Sequence, residues 1–232
     1  MNIPHLENDY VKLSLLDLSN YESLQSIAEE KDLIIFSPSD ISTPQKLKDY
    51  VQIAVDGYYQ KSTIPFIIYD KQKQAYAGCT RFGLINWKNK VLHIGWTWIG
   101  IEFQGTGLNK HMKFLMLHYA FETLAFDKVE FRIDERNKKS RKAVEKIGAT
   151  LEGILRKDTR MRDGFKRNTC CYGILKEEWA KEDLKITISK KTITVVNNLL
   201  LPKCAYQFPC LIKKYFLLSL FQHLFYRNLQ TL

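Results

Sequence analysis

Apolar residues along this chain switch between two spacings, every second position and every third or fourth, and the switches mark out its elements. Val11 to Leu15 alternates and predicts a first strand, after which Leu18, Leu24, Ile27 and Ala28 suggest a short helix. A second helix is better marked: Thr43 caps it, Pro44 takes its first position, and Leu47, Val51, Ala54 and Tyr58 recur at helical spacing to an end near Tyr59. Three strand-like runs follow, Ile64 to Tyr69, Ala75 to Ile85 and Val91 to Ile101, separated by polar turns that predict an antiparallel meander. Leu108, Met112, Leu115 and Tyr119, with an aliphatic end at Leu124, form the apolar stripe of a third helix. Lys128 to Ile133 reads as a strand, and Lys138 to Ile147 as a helix capped by Asn137 and stopped by Gly148. Asp163-Gly164 is a hairpin signal between two last strands, Leu151 to Arg162 and Phe165 to Leu175.

Beyond Trp179 the pattern changes. Ile186, Ile188, Ile193 and Val195 alternate, and an aromatic-rich run from Cys204 to Tyr226 follows with almost no acid. Its longest apolar stretch, Tyr215 to Tyr226, falls short of the roughly 20 residues that span a bilayer, so no transmembrane segment is expected. The division is therefore residues 1–180 as one domain and 181–232 as a basic, apolar tail. Three readings of the tail stay open: an added strand and helix on the body, a membrane-surface amphipathic helix, or a segment with no selected fold. On the last reading, removing it leaves activity intact.

Charge and cysteine content narrow the class. The net charge is +10, but residues 181–232 hold eight Lys/Arg against two Asp/Glu, so most of the basic excess belongs to the tail. The body's mixed-sign surface suits a polyanionic small molecule as well as it suits nucleic acid, and no stable nucleic-acid complex is expected. Five cysteines, without a C-x-x-C pair or a His/Cys cluster, argue against a disulfide framework and against a metal site. Together with an N-terminus carrying His5, Glu7 and Asp9 in place of a secretion signal, they make a cytoplasmic location the expectation.

Between the third strand of the meander and the next helix lies Gln104-Gly105-Thr106-Gly107-Leu108-Asn109. A glycine loop opening a helix presents outward N–H groups and the positive end of the dipole, which suits a phosphate. It is not a Rossmann loop, because Lys110 stands where the third glycine belongs, and not a P-loop, because no lysine follows Gly105. It fits Q-x-x-G-x-[G/A], with Asn109 in place of the last Gly or Ala. Downstream, Asn137-Lys-Lys-Ser140 opens a helix that ends at Gly148-Ala149. In these two segments, in this order, the chain resembles the GNAT acyl-CoA N-acyltransferases, most closely their RimJ/RimL branch, over about Tyr10 to Trp179. That resemblance implies an α+β fold: a mostly antiparallel twisted sheet of about six or seven strands flanked by about four helices.

The resemblance also implies acetyl-CoA as cosubstrate, a primary amine as acceptor (a protein N-terminus, amino acid, polyamine or similar small amine), and direct attack without metal or covalent enzyme intermediate. Gln104, Gly105, Thr106, Gly107, Leu108 and Asn109 would hold the pyrophosphate, the backbone of Trp98 and Ile99 the acyl end, and Asn137 the coenzyme beside its helix. Ser140 would protonate the departing thiolate. His93, on a strand that often carries a base in this family, is the candidate base, with an ordinary pKa near 6.5. Glu102 and Glu130 read as solvent-facing partners of lysines. An α-amino acceptor, pKa about 8, would need no strong base, whereas a lysine acceptor would. His111 and His118, two turns apart on the third helix, read as surface residues, and Lys110, Lys113, Lys138, Lys139, Arg141 and Lys142 mostly as a solvated face. Of Cys170-Cys171, on opposite faces of a strand, at least one reads as core. Asp32 to Ser42 is the expected wall of an acceptor pocket shared with the last hairpin. A monomer or homodimer is expected. An acyl-CoA-binding module without turnover and an RNA- or ribosome-associated protein are the alternatives.

Overall fold

The computed structural model describes residues 5–181 and 194–196. The chain divides into two units, Met1–Asn198 and Leu199–Leu232, and the aromatic-rich run expected in the tail lies outside the described residues. Among the described residues of the first unit one sheet has nine strands: β1 (His5–Glu7), β2 (Val11–Leu15), β3 (Ile64–Asp70), β4 (Ala75–Asn86), β5 (Val91–Ile99), β6 (Lys128–Asp134), β7 (Thr150–Arg160), β8 (Lys166–Leu175) and β9 (Thr194–Val196). Their order across the sheet is β7-β8-β6-β5-β4-β3-β2-β1-β9. The α+β class and the antiparallel character follow the expectation. The strand count exceeds it, because β1 pairs Leu6 with Leu13 and β9 pairs Val195 with Leu6. These are three-residue edge pieces, too short to show a period.

Among the described residues five α-helices accompany the sheet: α1 (Gln25–Ala28), α2 (Pro44–Tyr59), α3 (Leu108–His118), α4 (Lys138–Glu145) and α5 (Lys176–Lys181). α2 starts as its sequence dictates, with Thr43 Oγ1 accepting from the Lys46 N–H at 3.3 Å and Pro44 in the first turn. It buries Leu47, Val51 and Ala54 against the sheet. α3 runs on into a π-helical turn, Tyr119–Thr123, that buries Phe121. Phe66, Phe82, Leu115, Met116 and Tyr172 are among the side chains of the shared core. No helix among the described residues is long and apolar enough to cross a membrane.

Two irregularities shape the centre of the sheet. The one parallel pairing, β5 with β6, covers only Val91–His93 against Lys128–Glu130, although β5 continues to Ile99 and β6 to Asp134. Past His93 the two strands have no shared ladder. On its other side β5 carries a bulge: Cys79 pairs Trp98 and Arg81 pairs Gly95, so one residue of β4 faces two of β5, and Trp96 takes φ +50. The third meander strand thus ends at Ile99 rather than Ile101, and Ile101–Phe103 turns as a short 3-10 helix into the glycine loop.

Candidate acyl-CoA site

The loop between β5 and α3 is built to leave backbone donors uncovered. Gly105 and Gly107 take φ +79 and +95, a left-handed conformation that costs other residues about 1 kcal/mol or more. A Cβ at either position would meet nothing within 4 Å, so both face open space. Gly107 is the N-cap of α3 and brings no side chain to its first turn, which leaves the helix end available to an anion. Thr106 braces the turn, its hydroxyl donating to the Phe103 carbonyl at 2.8 Å and accepting from the Leu108 N–H at 3.3 Å. Gln104 sends its side chain inward, donating to the Ile99 carbonyl at 2.8 Å and accepting from Lys139 Nζ. Its amide therefore joins the end of β5 to α4.

Asn137 caps α4, its Oδ1 accepting from the Ser140 N–H at 3.0 Å. Ser140 is half-buried on that first turn. Of the cations expected around the loop, Lys110, Lys138, Lys139 and Lys142 are exposed, whereas Arg141 is engaged by the Tyr172 hydroxyl at 3.0 Å and the Glu135 carbonyl at 3.2 Å. Lys113 departs from the expectation of a solvated face. It is only 6% exposed, and its Nζ donates to Thr97 Oγ1 at 3.0 Å. Burial pulls its pKa down to about 7. The signal in the sequence is its apolar company, since Met116 and Leu117, three and four positions on, share its helix face and are buried with it.

The geometry speaks against His93 as a base. The residue is 6% exposed and its Nε2 accepts the Arg132 N–H at 3.0 Å, just past the end of the β5–β6 ladder. Its basic lone pair is thus occupied, and burial, with the nearby positive charge of Lys113, holds its pKa down to about 3. The imidazole serves as a neutral wedge where the strands part. His111 and His118 are half-buried. His111 stacks on Tyr10 at 4.0 Å and hydrogen-bonds Asn8 at 3.3 Å. Glu102 and Glu130 pair with lysines, at 3.3 Å to Lys73 and 3.2 Å to Lys128. Cys170 is buried and Cys171 half-buried.

On the α2 face, Arg81 lies between the rings of Tyr50 (4.6 Å) and Trp96 (4.9 Å), and the Tyr50 hydroxyl donates to the bulged Trp96 carbonyl at 3.2 Å. These contacts hold the β5 bulge. The indole N–H of Trp98 and Nδ1 of His93 are buried without a partner among the described residues, so β5 carries unspent polar groups on either side of the bulge. A cavity of about 200 Å³ opens between residues 28–35, Ile41, Ser42 and Arg162. Its walls are the α1–α2 loop and the β7–β8 hairpin, tied together by Arg162 to Asp40 at 3.3 Å and by Arg167 Nη1 to the Phe36 carbonyl at 2.9 Å. Glu30 reaches from that wall to accept the Ile101 N–H at 2.8 Å. The open glycine cradle, the bare helix end and the unzipped edge of β5 fit a pyrophosphate followed by an extended arm carrying amides.

Comparison with known proteins agrees. Residues 11–150 match the family described as Acetyltransferase (GNAT) domain. Over 94 residues the chain is 35% identical to the "Putative ribosomal N-acetyltransferase YdaF" of Bacillus subtilis, a match covering 40% of this chain and 50% of that protein, so the matched stretch spans half of the relative. A GCN5-related N-acetyltransferase from Brucella melitensis superposes with a TM-score of 0.70 at 22% identity, over 78% of this chain and 85% of that one. The ribosomal-protein-S5-alanine acetyltransferase of Vibrio fischeri superposes at 0.64 and 18% identity, over 75% and 98%. The chain belongs to the GNAT acetyltransferase family.

Proposed function

We propose that the protein transfers an acetyl group from acetyl-CoA to an α-amino group, such as a protein N-terminus, by direct attack in a ternary complex. The observation that carries this reading is the unzipped edge of β5, Ile94 to Ile99, opening onto the left-handed glycine loop at its end. The N–H groups of Thr106, Gly107 and Asn109 hold the pyrophosphate, with Gly105 and Gly107 allowing close approach. The backbone of Trp98 and Ile99 takes the acyl end, one N–H facing the carbonyl oxygen as charge develops on it. Bound there, acetyl-CoA supplies an activated thioester carbonyl. Asn137 fixes α4 so that Ser140 offers a hydroxyl hydrogen bond to the sulfur.

The acceptor enters through the cavity between the α1–α2 loop and the β7–β8 hairpin, whose Glu29, Glu30 and Asp32 suit an incoming ammonium. With His93 neutral and occupied, an acceptor that already has a free-amine fraction at neutral pH is favoured over a lysine side chain. The name of the Bacillus subtilis relative points the same way. The test is thiol release from acetyl-CoA by the full-length protein with N-terminal peptides, free amino acids, polyamines and lysine-bearing peptides. Release is expected with α-amino acceptors; release with lysine side chains alone overturns the acceptor class. The neutral His93 also favours a second reading, a module that binds acyl-CoA without turnover, for which coenzyme binding with silence across the panel is the signature.

A further inference from the structure

Lys113 is the one charged side chain that α3 buries against the sheet. Its Nζ lies 3.0 Å from Thr97 Oγ1 on β5 and 5.8 Å from the ring centroid of Phe131 on β6. Those strands stop pairing at His93 and Glu130, so the amine sits between them beyond the end of their ladder. Thr97 directly precedes Trp98, whose backbone takes the acyl end on the reading above.

Around this amine no carboxylate comes within ion-pair distance among the described residues. From β5 it faces Thr97 and the neutral His93. The Thr97 hydroxyl is shared with Thr80 of β4 at 2.7 Å, and Met116 of α3 approaches Thr80 at 3.7 Å. β6 offers the Phe131 ring, and Arg132 and Arg167, which act with Lys113 on His93, add only positive charge. A buried ammonium with one neutral partner is costly, and an apolar side chain of the same length would cost less. Such a cation is balanced by an anion that arrives, and acyl transfer generates one: charge on the carbonyl oxygen, then on the sulfur.

A serine hydroxyl can hydrogen-bond that sulfur but is too weak an acid to give it a proton. An alkyl thiolate, whose conjugate acid has a pKa of about 8.5 or above, takes a proton readily from an ammonium that burial has acidified to about 7. We propose that Lys113 is a catalytic residue that, held by Thr97 in the split between β5 and β6, hands a proton to the departing coenzyme A thiolate. The N–C bond forms as the C–S bond breaks, the sulfur takes the Lys113 proton, and the proton shed by the attacking amine returns to Lys113 through water. This inference rests on the acetyl-transfer reading.

The test compares full-length wild type with Lys113→Met, an uncharged side chain of similar length, using an amine that the wild type acetylates. We expect kcat to fall about 100-fold, KM for acetyl-CoA to stay within about threefold, and Tm to hold or rise. Wild-type kcat is expected to decline as pH rises through the pKa of the acid, and the variant to lack that decline. A variant whose kcat stays within about threefold of wild type overturns the proposal. So does a fall in Tm and kcat together in both Lys113→Met and Lys113→Gln, which would make the amine a brace. Wild type that releases no thiol with any amine overturns the acetyl-transfer reading itself, and this inference with it, whereas active wild type with an equally active variant overturns the inference alone.

Discussion

His93 shows what a single buried side chain contributes when its chemistry is switched off. Its folded pKa of about 3 lies below the ordinary value near 6.5, so between those limits the unfolded chain binds a proton that the folded one refuses. The resulting stability is fully present above about pH 6.5 and is lost as pH falls toward 3. His93→Gln keeps an acceptor for the Arg132 N–H without titrating, and its Tm between pH 4 and 7 is expected to vary less than that of wild type. His93→Ala leaves that N–H without a partner and is expected to cost about 1–3 kcal/mol in urea unfolding. If either variant abolished an ascending pH limb in kcat, the neutral-wedge role would be wrong. Gly107 makes a complementary case, because its Cβ position is open but its φ is +95. Gly107→Ala is expected to cost about 1 kcal/mol of stability from backbone strain and to weaken acetyl-CoA binding measurably in calorimetry, since a methyl then stands where the phosphate approaches.

Among the elements, α4 is short enough that its cap decides its geometry. Asn137→Ala removes the Oδ1 acceptor of the Ser140 N–H and is expected to cost about 1 kcal/mol, together with a loss of turnover, as Ser140 is no longer held in register. Ser140→Ala is expected to lower kcat while leaving the Kd for acetyl-CoA unchanged; an unaltered kcat would remove the hydroxyl from the reaction. β5 needs glycine at 95 for a reason only packing reveals. A Cβ there would come within 2.3 Å of His93 Cε1, so Gly95→Ala pushes the imidazole off the Arg132 N–H. The expected cost is about 1–3 kcal/mol, typical of overpacking, read as a lowered urea midpoint.

At the scale of the molecule, the sheet continues past the boundary that composition suggests at residue 180. β9 pairs with β1 through Val195 and Leu6, and the first unit extends to Asn198. Removing residues 199–232 is expected to leave Tm and thiol release unchanged, whereas removing 181–232 also strips β9 from β1 and is expected to lower Tm slightly. A loss of activity in the shorter truncation would assign the tail a part in the fold. Because residues 181–232 carry most of the net +10, the protein lacking them is also expected to lose any salt-sensitive RNA retention seen with the full chain.

What the sequence determined by itself was local. The spacing of apolar residues set the meander and α2, glycine and asparagine set the two helix starts, and the Gln104–Asn109 loop pointed to a phosphate, because caps, turns and periodicities depend on neighbours a few residues away. Tertiary structure decided the chemistry of the site. The length of the β5–β6 ladder, the burial of Lys113 and the occupied lone pair of His93 depend on residues 16 to 39 positions apart in the chain. Desolvation, which moves both side chains far from their ordinary ionisation, is a property of the packed interior, and residue identity alone does not encode it.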